Sequence, residues 1–277
     1  MVRIAYLGPA GTYSEAAMIA HNPDARAIPC ASFSEAARQV ETGNADEAVV
    51  AIENSLEGSV TDTLDLLLHE SILSIKREVV IPIAHCLLAK PGTKLPEVEV
   101  VFSHTQALGQ CRAFVEKRLG NAFKVASLST VAAVADMLAS ERIGAAISPR
   151  RAADLYSVDI LAEKIQDRKE NVTRFVVLAS EDHEPTGDDK TSVAFTFSDE
   201  DKPGQLFRAI GEFAKRGINL SKIESRPSKE MLGRYIFLVD FDGHRSEPAV
   251  DAALKTISGE ASFFRIFGSY PKADLLG

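Results

Sequence analysis

No stretch of this chain is apolar for the roughly 20 residues that a helical membrane span requires. Cysteine is scarce as well. Cys30, Cys86 and Cys111 are scattered among apolar neighbours with no CxxC spacing, so reduced, buried thiols are expected and a metal site is not. Positive charge is short: 31 Lys and Arg stand against 39 Asp and Glu, a net charge of −8. That balance argues against a nucleic-acid partner. It still permits a small anionic substrate, because one local Arg and a few backbone N–H groups suffice. The G-x-G-x-x-G dinucleotide fingerprint is missing. Met1-Val2-Arg3-Ile4-Ala5-Tyr6 reads as a strand from residue 2, with no room for a secretory signal, so a cytoplasmic protein with no membrane association is expected.

What is present is an ordinary globular composition, 45% hydrophobic and 25% charged over 277 residues, a length that suggests about two domains. Residues 3–7 form a short apolar strand running into Gly8-Pro9-Ala10-Gly11-Thr12-Tyr13-Ser14-Glu15 and a helix-like stretch. A Gly-rich loop there leaves backbone N–H groups free to seat an anion; the plainer reading is a tight strand-to-helix turn. Residues 47–52 are apolar on both faces, as in a buried parallel strand, and end in the polar run Glu53-Asn54-Ser55-Leu56-Glu57-Gly58-Ser59-Val60. Open α/β sheets bind ligands at the carboxyl ends of such strands, which makes Asn54, Ser55 and Ser59 site candidates, although Ser59 could instead cap the helix at 62–69. Residues 79–88 read as a crossing between two lobes, with His85 a packed or hydrogen-bonded histidine rather than a base.

A long internal repeat follows. The strand at 98–102, the polar loop from Ser103 and the helix to 118 repeat the opening unit. Ala36 and Ala132, and again Val49 and Ala145, are 96 residues apart. Two similar α/β lobes with polar loops at their strand ends imply a ligand cleft between them. The chain is then expected to return to the first lobe through 154–162. There it meets Asn171-Val172-Thr173-Arg174-Phe175, a loop opening a buried strand. A hydroxyl beside a guanidinium at such an edge can hydrogen-bond a leaving oxygen and fork onto a carboxylate.

Leu7 to Glu15, Ile52 to Val60, Ser103-His104-Thr105-Gln106-Ala107-Leu108-Gly109-Gln110-Cys111 and Asn171 to Phe175 resemble, in order, the four motifs of prephenate dehydratase. The resemblance implies a bilobal fold similar to type 2 periplasmic binding proteins and conversion of prephenate to phenylpyruvate, with no cofactor and no metal. It also implies roles. Thr173 would serve the leaving hydroxyl, Arg174 would bind a substrate carboxylate and Phe175 would shape a dry wall. Asn54, Ser55, Ser59, Ser103, Thr105 and Gln106 would hold the substrate's carboxylates and ring, with Glu53 a possible proton source.

After a polar linker at 180–190, strands alternate with amphipathic helices in the order βαββαβ, which is ferredoxin-like. Gly204-Gln205-Leu206-Phe207 and Gly217-Ile218-Asn219-Leu220-Ser221-Lys222-Ile223-Glu224-Ser225-Arg226-Pro227 resemble an ACT domain, with Gln205 and Phe207 where that family has Ala and Val. The resemblance implies L-phenylalanine as an allosteric effector, with Gly204, Leu206, Asn219, Leu220, Glu224, Ser225, Arg226 and Pro227 in its site, and a homodimer or a homotetramer built as a dimer of dimers. The expected division is a catalytic domain over 1–180 (lobe one about 1–80 and 155–180, lobe two about 81–154) and a regulatory domain over 190–272. An arogenate dehydratase and a non-catalytic cytoplasmic binding protein are the alternatives. A single activity is expected, since no mutase-like helix bundle precedes these motifs.

Overall fold

The computed structural model describes residues 1–197, 203–229 and 233–273. The amino-terminal part alternates β1 (Arg3–Leu7), α1 (Tyr13–His21), β2 (Arg26–Cys30), α2 (Phe33–Glu41) and β3 (Glu47–Asn54). The short β4 (Gly58–Ser59) and α3 (Thr61–Asp65), which runs into a wider turn over Leu66–Glu70, lead to β5 (Ser74–Pro82). Lobe two holds β6 (His85–Ala89), β7 (Val100–Ser103), α4 (Thr105–Gln110), α5 (Arg112–Arg118), β8 (Phe123–Ala126), α6 (Ala132–Ala139), β9 (Gly144–Pro149), α7 (Arg150–Tyr156) and β10 (Asp159–Ala162). The chain then crosses back to β11 (Val172–Ala179).

The repeat is visible in the sheets. Lobe one runs β2-β1-β3-β11-β5 and lobe two runs β8-β7-β9-β6-β10. In each, three parallel strands from a βαβαβ unit are followed by a strand that crosses from the other lobe and pairs antiparallel. The return to lobe one occurs later than expected. Residues 155–162 belong to lobe two, because β10 pairs with β6 and Ile160, Leu161 and Ala162 pack on the lobe-two core. The return is therefore made by 163–171.

The carboxy-terminal domain comprises β12 (Asp189–Phe197), α8 (Gln205–Lys215), β13 (Leu220–Pro227), β14 (Tyr235–Asp242), α9 (Pro248–Glu260) and β15 (Ala261–Pro271). Its antiparallel order, β13-β14-β12-β15, is the ferredoxin-like arrangement. One sheet face packs on α8 and α9 through Val193, Phe195, Phe213 and Val239. The other face packs on lobe one, where Ala194, Leu238 and Phe267 share a core with Val50, Leu67 and Val176. The middle strands β12 and β14 are thus largely buried on both sides, with lobe one's sheet as a second layer, while the outer face of edge strand β13 stays open.

Strand β11 distributes the result. Phe175 and Val177 face the α1 side, while Val176 and Leu178 face the ACT sheet, as the two-residue period of a strand requires. The contact is tight at Gly268, with φ +154°, where an added Cβ would lie 2.2 Å from the Ile75 carbonyl oxygen. We expect Gly268→Ala to cost about 2 kcal/mol or more in a urea melt, as overpacking against backbone does. Gly259→Ala, on the open face of α9 with nothing within 4 Å, is expected to be neutral or to stabilise by up to about 1 kcal/mol. Equal effects would mean that β15 does not seat on β5 as described.

Candidate active site

Between the lobes lies a cleft of about 320 Å³. Lobe one supplies the loop into α1, the end of β3 and the start of β11; lobe two supplies the start of α4 and the loop before α6. The α1 entrance is built by local rules. Thr12 caps the helix by accepting from Glu15 N (3.3 Å) and ties its own hydroxyl to Leu7 O (3.0 Å). Gly11 has φ +92°, and its N–H reaches the Glu15 carboxylate at 2.8 Å. Glu15 in turn pairs with Arg151 of α7, closing one side of the cleft across the lobes. Burial pushes the Glu15 carboxyl up, yet the Arg151 guanidinium and the Gly11 N–H hold it below the ordinary range.

A continuous hydrogen-bonded chain lines the floor, and its directions can be worked out. Gln110 Nε2 donates to Glu57 Oε1 (3.1 Å), which leaves Gln110 Oε1 to accept from Asn171 Nδ2 (3.1 Å) and from His85 Nε2 (3.0 Å). His85 therefore carries its proton on Nε2, and its bare Nδ1 lies 3.1 Å from the Tyr13 hydroxyl, whose one hydrogen is shared between it and Ala84 O at 2.8 Å. Asn171 Oδ1 accepts from Asn54 Nδ2 (2.8 Å). The Asn54 amide cannot be turned over, because its Oδ1 accepts from Leu56 N (3.0 Å) and Glu57 N (3.1 Å). Its Nδ2 also donates to Thr173 Oγ1 at 2.8 Å. The Thr173 hydroxyl thus receives one bond from Asn54 and keeps its own hydrogen for a ligand. Thr173 is 8% exposed and lines the cleft beside the buried Phe175.

Other expected residues are divided by the fold. Asn54 and Gln106 line the cleft, and Thr105 lies in an adjoining groove that shares Gln106 and Gln110 with it. Ser55 instead braces the loop, accepting from Val172 N (3.0 Å) and donating to Glu170 O (3.3 Å). Ser103 is fully buried and donates to Ile147 O at 2.7 Å. Ser59 faces the ACT strand β13, where Lys222 Nζ reaches it at 2.8 Å and Glu224 accepts from it. Arg174 departs most. The strand period that brings Thr173 and Phe175 into the cleft turns its guanidinium to the opposite face, against Asp240 and Glu78. It does not reach a substrate in the cleft. Glu53 is turned the same way, 3.6 Å from Arg174 and 3.3 Å from Lys222, which removes it as a proton source.

The same alternation splits the expected effector residues. Glu224 and Arg226 point inward, to Ser59 and to Asp65 (2.8 Å), so neither is open to an effector on the outer face. Ser225 and Pro227 face outward. Asn219 is exposed beside Asp242 (3.2 Å), Leu206 and Leu220 pack partly on the ACT core, and Gly204 precedes α8 with φ +87°. Tyr13, Gln110, Asn171, Ser129 and Thr130 line the cleft or its adjoining groove without having been assigned a role from sequence. All sit inside stretches that the motifs or the repeat had marked, and the polarity of those stretches was the available signal. His85 is hydrogen-bonded, as read.

These loops and the order of the domains match known proteins. A model of the prephenate dehydratase family matches residues 4–183, and an ACT domain model matches 195–259. The chain belongs to the prephenate dehydratase family. Membership makes it a lyase with a regulatory ACT domain. It is 44% identical over 273 residues to the bifunctional chorismate mutase/prephenate dehydratase of Aquifex aeolicus, covering 98% of this chain and 74% of that one. It is 40% identical over 285 residues to arogenate dehydratase/prephenate dehydratase 1 of Arabidopsis thaliana, covering 98% and 72%. The crystal structure of the Arthrobacter aurescens prephenate dehydratase in complex with L-Phe superposes with a TM-score of 0.91 at 40% identity, covering 99% of this chain and 91% of that one.

Burial lowers the His85 pKa, so at neutral pH the imidazole is the neutral, chain-forming tautomer. In the unfolded chain it protonates near its ordinary 6.5. The unfolded state then binds more protons, so the His85 contribution is complete above about pH 6.5 and is lost as pH falls toward the lower folded value. Thermal melts of wild type and His85→Gln are expected to converge as pH drops from about 7 to 5. Parallel curves would mean that His85 titrates alike in both states.

Proposed function

We propose that the cleft converts prephenate to phenylpyruvate, water and carbon dioxide in the cytoplasm, on the way to L-phenylalanine. The observation that carries this reading is the Asn54-to-Thr173 hydrogen bond. In the reaction the ring carboxylate leaves as carbon dioxide. Its bonding electron pair passes through the ring to form the aromatic system, and the hydroxyl at the opposite ring position leaves with the carbon–oxygen pair. One proton must be supplied to make water of it. Thr173 is too weak an acid to give up its own proton unaided. Held by Asn54, it directs its hydrogen at the leaving oxygen and relays a proton from solvent. Phe175 and Ile83 keep the rest of the site dry.

Among the described residues, the lining of the cleft contains no Asp, Glu, Lys or Arg. Within the cleft itself, neutral donors suit carboxylates and offer no counter-ion to an ammonium, which supports prephenate over arogenate; Glu57 and Asp167 stand in the adjoining groove. The cation for one carboxylate would be Arg168. It lines the adjoining groove with Gln106 and Gln110 and has no hydrogen bond or ion pair to the described residues. L-Phenylalanine would bind on the outer face of β13, near Asn219 and Ser225, between paired ACT domains of a homodimer or dimer of dimers, and lower turnover by favouring one arrangement of the lobes.

Phenylpyruvate formation tests both residues. Thr173→Ala is expected to lower kcat by about 10²–10³-fold, with Thr173→Ser retaining most of the rate. Turnover by Thr173→Ala at the wild-type rate would remove Thr173 from the mechanism. Arg168→Gln is expected to raise KM for prephenate roughly tenfold with kcat nearly unchanged, the pattern of lost uniform binding. An unchanged KM would place the carboxylate elsewhere.

A further inference from the structure

We propose that Arg174 is a positioning residue, the tie by which the ACT sheet holds the strand that carries Thr173, and the route by which effector binding reaches the cleft. The proposal rests on the dehydratase reading of the site. Its basis is a set of contacts made by one buried side chain. Arg174 Nη1 lies 2.6 Å from Asp240 Oδ2, Nη2 donates to the Tyr270 hydroxyl at 2.8 Å, and Nε lies 2.7 Å from Glu78 Oε2. Asp240 is on β14 and Tyr270 on β15, so two ACT strands grip a residue adjacent in sequence to Thr173.

The ACT side of this contact is itself cross-linked. Ser192 of β12 donates to Asp240 Oδ1 at 2.6 Å and lies 2.5 Å from the Tyr270 hydroxyl. Two ACT strands therefore hold the guanidinium directly, and β12, which lies between them, braces both of its partners. Lys190 of the same β12 adds two contacts of 2.9 Å to Glu78, so two cations and two carboxylates balance in the buried cluster. Burial pushes the Asp240 carboxyl up, but Arg174, Ser192 and Lys190 hold it ionised.

The proposed effector strand reaches the same point. The inward face of β13 places Lys222 Nζ 3.3 Å from Glu53 Oε2, an atom 3.6 Å from Arg174 Nη1. Glu53 and Arg174 are register partners between β3 and β11, and the register shifts immediately beyond, between Arg174 and Phe175. A bulge re-aims the side chains beside it. A shift of β13 or β14 against lobe one is thus delivered to the backbone at Arg174, one residue from the Thr173 hydroxyl and its Asn54 bond.

The experiment combines two readouts on the full-length protein: initial rates with prephenate at varied L-phenylalanine, and calorimetric binding of L-phenylalanine without substrate. Tyr270→Phe removes a hydrogen bond and leaves the charges paired. We expect it to raise the inhibition constant for L-phenylalanine at least fivefold while calorimetric affinity stays within twofold of wild type. Arg174→Gln is expected to lower kcat at least tenfold with KM for prephenate changed less than threefold. If Arg174→Gln does not fold, Tyr270→Phe decides alone. The proposal is overturned if Arg174→Gln raises KM tenfold or more with kcat intact, the behaviour of a substrate ligand. It is equally overturned if Tyr270→Phe leaves inhibition unchanged, or weakens inhibition and binding together. A wild-type protein without turnover of prephenate would sink the dehydratase reading itself, before any variant is compared.

Discussion

A buried guanidinium cannot stand alone, and much of this molecule is arranged around satisfying one. Arg174 is surrounded by Glu78 of lobe one and by Asp240 and Tyr270 of the ACT sheet, with Lys190 completing the charge balance. Breaking such a buried pair by deleting one partner costs about 3–5 kcal/mol, against a total stability of about 5–15 kcal/mol for a typical domain. The two sheets therefore cannot pack in a register that leaves either charge buried without its partner. Adhesion itself comes from the apolar contact of Ala194, Leu238 and Phe267 with the lobe-one core. Charge supplies the register of the contact, and apolar area supplies most of its strength.

Strand β11 is where three demands meet. It pairs with both β3 and the edge strand β5 of lobe one, receives the chain returning from lobe two, and turns alternate residues to the cleft and to the ACT sheet. Thr173 and Arg174 can then serve different parties one residue apart. The cleft side is neutral and hydrogen-bonded, from Tyr13 through His85, Gln110, Asn171 and Asn54 to Thr173. The other side is charged. Keeping the ions off the cleft preserves a dry site in which one oriented hydroxyl matters, since an unscreened dipole acts more strongly where water is excluded.

Much of this was legible in order along the chain. The offset of 96 residues marked two lobes, and the strand order of each bears it out. The ferredoxin-like order of the last domain followed from two amphipathic helices between strands. The edge strands β2 and β8 were not legible, because an edge strand with an exposed face, as β8 is throughout, carries no alternating pattern. The lobe boundary was placed too early because β10 is only four residues long, and a short strand's partner is settled by pairing, not by its own composition.

What the sequence by itself determined is the set of loops that meet: those holding Tyr13, Asn54, Gln110 and Thr173 were marked by polar residues at the ends of apolar strands, a local pattern. What only the tertiary structure decided is which side chain in each loop faces the cleft. Arg174, Ser59, Glu53, Glu224 and Arg226 lie in the marked motifs, yet all turn to the contact between lobe one and the ACT domain. A strand presents two faces with equal ease, and its own residues do not say which face meets a ligand. That is settled by what packs against each side, here a helix and an open cleft on one and a second sheet on the other.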